Sequence, residues 1–102
     1  MQKIDDKLAK KIHDKAEEKG VELPKSSGCF TISKYTTDEL LEMLPAEIQG
    51  ATLILYKEER SNYSAWYEKY NNLEFGLVKE TPTPSQALGE LYLYCLENDL
   101  IK

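Results

Sequence analysis

The sequence predicts an α+β domain in which helices pack on a three-stranded antiparallel meander, in the order α-α-β-β-β-α. Three observations carry this. Residues 4–19 and 84–100 hold apolar side chains at helical spacing. Helix-start signatures stand at Thr36–Glu39 and Thr83–Gln86, each a Ser/Thr followed three residues later by Glu/Gln. Between them, three runs rich in β-branched and aromatic residues are separated by the turn-like segments Arg60-Ser61-Asn62 and Asn71-Asn72.

The first helix is expected over 4–19, where Ile4, Leu8, Ile12 and Ala16 recur every four residues among Lys, Asp and Glu. So narrow a stripe can bury only one edge, which places this helix on the outside of the domain. Gly20 suits the left-handed stop position, with Val21 folding back toward Ala16. Residues 21–35 read as a linker, with Pro24 and Ser26-Ser27-Gly28, and a short extended piece at Cys29–Ile32. A second helix starts at Thr37 behind the Thr36/Glu39 capping box, with Tyr35 and Leu40 as a hydrophobic staple, and ends near Leu44 before Pro45.

The strands follow as ATLILYKEE, NYSAWYEKY and LEFGLVKE. Alternation sends Tyr63, Ala65 and Tyr67 to one face and Ser64, Trp66 and Glu68 to the other. In the third run it groups Leu73, Phe75 and Leu77. Tyr56, Trp66 and Tyr70 are expected on the mixed face. The last helix opens with Pro84 at its first position. Its apolar face is centred on Leu88, Leu91, Tyr92, Cys95 and Leu96 and widened by Ala87, Leu93 and Tyr94, leaving Gln86, Gly89, Glu90 and Glu97 as a polar strip. Three strands cannot cover so broad a face, so a second helix, the linker or another subunit must also pack on it. Gly89 inside this helix marks either a close approach of another backbone or a tolerated exposed glycine.

At 102 residues the chain is one domain: a peripheral helix over 1–20, a linker over 21–35 and a core over 36–102. A hydrophobic content of 41% with 30% charged residues is that of a globular protein. The longest apolar stretch, Leu91 to Leu96, is far short of the roughly 20 residues of a membrane crossing, and the charged N-terminus lacks the apolar run of a signal peptide. A cytoplasmic location without membrane association is expected. Cys29 and Cys95 are expected to be reduced. Of the net charge of −5, residues 1–20 contribute +1 and the remainder −6, which disfavours direct binding of nucleic acid.

Few residues suggest chemistry. The single histidine, His13, lies on the charged side of the first helix, without the pocket and partner an acid–base role needs. One His and two separated Cys give no zinc-ligand spacing, and five isolated glycines give no phosphate-cradling loop, so neither metal nor cofactor is expected. Among the carboxylates, Asp38 and Glu39 are accounted for by the helix start, and Glu58 and Glu59 adjoin a turn and should be solvated. The aromatic density from Tyr56 to Tyr70 is different, because alternation puts Tyr and Trp on both faces and one helix layer covers only one. Tyr56, Trp66, Tyr70, Leu93 and Tyr94 are therefore the candidate protein-interaction residues, unless the first helix and linker cover the sheet.

The order helix, three strands, helix over 36–100 resembles the layout of double-stranded-RNA-binding domains. That family places basic residues at the start of its final helix, and TPTPSQALGE here has none, so the resemblance implies layout without RNA binding. TTDELLEMLPAEI, the Tyr/Trp-rich meander and PSQALGELYLYCLENDL together resemble small uncharacterised proteins of phages, prophages and mobile elements. That resemblance implies a small accessory protein and no residue-level roles. The expected function is a non-enzymatic accessory or regulatory protein acting by protein–protein interaction or self-association. The alternatives are an acidic mimic that binds a nucleic-acid-handling protein, and an enzyme of unrecognised type.

Overall fold

A computed structural model describes residues 3–23, 35–58, 62–69 and 74–101, with the backbone alone at 74–77, 79 and 80. Its elements are α1 (Asp6–Lys19), α2 (Thr37–Met43), β1 (Glu47–Ile48), β2 (Ala51–Lys57), β3 (Tyr63–Glu68), β4 (Glu74–Thr81) and α3 (Pro84–Glu97). This is the expected α+β arrangement, with a two-residue strand added ahead of the meander. The sheet order is β1-β2-β3-β4, antiparallel throughout. Among the described residues no helix is long and apolar enough to cross a membrane.

The helix ends follow from their residues. Asp5 caps α1, its carboxylate accepting from the Leu8 N–H at 2.7 Å. Gly20 takes the left-handed conformation at φ 71°, while its own N–H and that of Val21 reach the Glu17 and Ala16 carbonyls. Thr36 and Glu39 form the full capping box, and the staple residues Tyr35 and Leu40 are both buried. At α3 the Thr83 hydroxyl accepts from the Gln86 N–H at 3.1 Å, the forward half of the expected box. The helix stops at Glu97, earlier than the expected residue 100. There Asp99 turns left-handed (φ 57°), and the Asp99 and Leu100 N–H groups close onto the Leu96 and Cys95 carbonyls.

The chain stacks in layers, with the sheet on one side of α3 and α1 on the other. Ala51, Ala65 and Tyr67 of the inner sheet face are fully buried with Ala87, Leu88, Leu91, Cys95 and Leu96 of α3. Ile4, Leu8, Ala9, Ile12 and Ala16 belong to the same core cluster. Thus α1 is an outer layer whose apolar stripe joins the common core, and it is the second helix that the broad face of α3 requires. The polar strip expected on α3 needs correction at Gly89, which is buried: a Cβ there would stand 2.7 Å from Leu8 Cδ2 and 2.8 Å from Ile4 Cγ2. The two helices run in the same direction, with a Lys19–Asp99 ion pair at 3.2 Å joining their C-terminal ends.

Two further features shape the sheet. The loop Gln49-Gly50 has positive φ at both positions (51° and 82°), as a tight two-residue hairpin demands, and it turns β1 into β2. In β4 the register with β3 slips twice, so Val78 stands opposite Ala65 and Phe75 opposite Tyr67. The simple alternation through Leu77 therefore fails. Each bulge adds a residue to β4, and Val78 takes the inner register position that even alternation assigns to Leu77. The expected extended piece at Cys29–Ile32 lies outside the described residues.

Candidate functional site

The pairing of β2 with β3 decides which side chains share the outer face. Ile54 is registered with Trp66 and Tyr56 with Ser64, so Thr52, Ile54 and Tyr56 stand beside Glu68, Trp66 and Ser64 on the side away from α3. Tyr56 is 54% exposed, and its ring lies 6.5 Å from the Trp66 ring, tilted by 55°. The separation lies within the roughly 4.5–7 Å range of attractive aromatic pairs. Trp66 is half-buried, and its indole Nε1 is enclosed without a hydrogen-bond partner. An enclosed N–H left unpaired costs about 1–3 kcal/mol, which packing of the indole ring must offset. Since α1 and α2 pack on α3, none of the helices among the described residues lies across this face.

The candidate interaction residues do not form one surface. Tyr56 and Trp66 are together on the outer face, and Tyr70 lies outside the described residues. Leu93 and Tyr94 are half-buried on α3, packed against the core on the other side of the sheet. Helical periodicity marks them as apolar without revealing that this chain's own layers enclose much of their surface.

Several other polar groups have structural partners. Glu58 is not freely solvated: it is half-buried and its carboxylate accepts from the Ser64 hydroxyl at 3.0 Å, because the hairpin register brings Ser64 next to it. Thr81 donates its hydroxyl to the Tyr63 carbonyl at 2.8 Å. The Tyr67 hydroxyl donates to the Pro45 carbonyl at 2.7 Å and ties the α2–β1 connection under the sheet. Burial raises the Tyr67 pKa, helped by the neighbouring Cys95. It also pushes the free thiol of Cys95 up to about 12, so this cysteine is a buried apolar group and not a nucleophile. Burial holds the Tyr92 hydroxyl at about 12 as well, with smaller contributions from Tyr35 and Cys95. His13 is exposed on α1. Among the described residues no three His, Cys, Asp or Glu side chains are grouped to hold a metal ion.

Sequence reasoning missed the short strand β1, which matters to the site because it caps only part of the β2 edge. β1 pairs with Ala51 and Thr52 alone. Leu55, at 37% exposure, and Tyr56 follow on the uncovered stretch.

No protein-family model, curated protein or solved structure matches the chain. The functional reading rests on the molecule itself.

Proposed function

We propose that the protein is a non-enzymatic accessory or regulatory module that acts by binding protein through the outer face of its sheet. The observation that carries this reading is the pairing of exposed Tyr56 with half-buried Trp66 on a face that no described helix covers. Tyr and Trp offer large, rigid contact area at low entropic cost, and they dominate the energetics of protein interfaces. A cytoplasmic setting and a phage or mobile-element origin belong to the same proposal, and their support is the sequence pattern alone.

The test is affinity capture of the tagged chain from lysate at low and high salt, beside Tyr56→Ser and Trp66→Ala variants of verified fold. An apolar interface predicts a partner kept at high salt and lost in both variants. A partner lost in salt but kept by the variants would point to the acidic mimic. Identical capture by wild type and variants at both salts would remove the sheet face from the argument.

A further inference from the structure

We draw no further inference here: the strongest candidate, the outer sheet face where Tyr56 of β2 packs beside Trp66 of β3, belongs to the site already described, and nothing in the structure shows what covers it.

Discussion

On the side of α3 turned away from the sheet, Gly89 leaves a socket that Ile4 and Leu8 fill, and both are almost fully buried. On the outer side of the sheet, Tyr56 and Trp66 pack against one another, and no described helix packs on them. Both surfaces exceed what a single helix-on-sheet layer can hide. The N-terminal helix closes the first, which contributes to folding, while no described helix closes the second. Steric fit makes the difference: a stripe with one apolar residue every four matches a helix surface interrupted by glycine, and no described segment offers a matching stripe to the sheet.

The largest expected effect breaks the closed side. Leu8→Ala removes a buried side chain from the α1–α3 contact and should cost about 3 kcal/mol in denaturant unfolding, within the range for such core truncations. A loss below about 1 kcal/mol would mean that α1 is docked far more loosely than its burial indicates. Next comes Gly89→Ala. Alanine gains up to about 1 kcal/mol of helix propensity, but its methyl must displace Leu8 and the branched, stiff Ile4, and overpacking of this kind costs about 1–3 kcal/mol. Net destabilisation is expected, and it should shrink in a Leu8→Ala background, where the clash with Leu8 is gone and that with Ile4 Cγ2 at 2.8 Å remains. A double-mutant cycle reads this coupling directly. On the open side, Tyr56→Ser should change monomer stability by less than about 1 kcal/mol, since only an exposed ring pair is lost.

The contrast also explains what was legible in the sequence. Capping residues and periodicity act locally, so Thr36, Glu39, Gly20 and Pro84 mark their helix ends without knowledge of the fold, and the excess width of α3 shows that something further must pack there. Which segment packs there depends on a distant meeting of Gly89 with Ile4 and Leu8, and counting Gly89 in a polar strip hides it. The strand β1 was missed because Ala46–Ile48 follows α2 and Pro45 too closely to show alternation, and Gln49-Gly50 is a weaker turn signal than Asn-Gly. The β4 bulges break a period of two that the sequence alone presents as unbroken. At the site, alternation placed Tyr56 and Trp66 together, whereas Leu93 and Tyr94 needed the layer order to be separated from them.

The smallest effect is electrostatic and belongs to the closed side. Glu90 is half-buried on α3, and its pKa is raised, first by burial and then by the Asp5 carboxylate at the start of α1, with Lys11 opposing. A carboxyl whose folded pKa exceeds its unfolded value stabilises the fold most fully when protonated, below the unfolded pKa, and loses that contribution as pH rises through the folded pKa. At neutral pH the ionised Glu90 therefore weakens the α1–α3 contact. Glu90→Gln should raise the melting temperature at pH 7, and the advantage should shrink as pH falls through the raised folded pKa and be lost below the ordinary carboxyl value of 4.5. Added salt should narrow the gap at pH 7 in part only, because it screens the repulsion from Asp5 but does not remove the cost of burial. An advantage that persists unchanged at low pH would assign the effect to packing of the amide and not to charge.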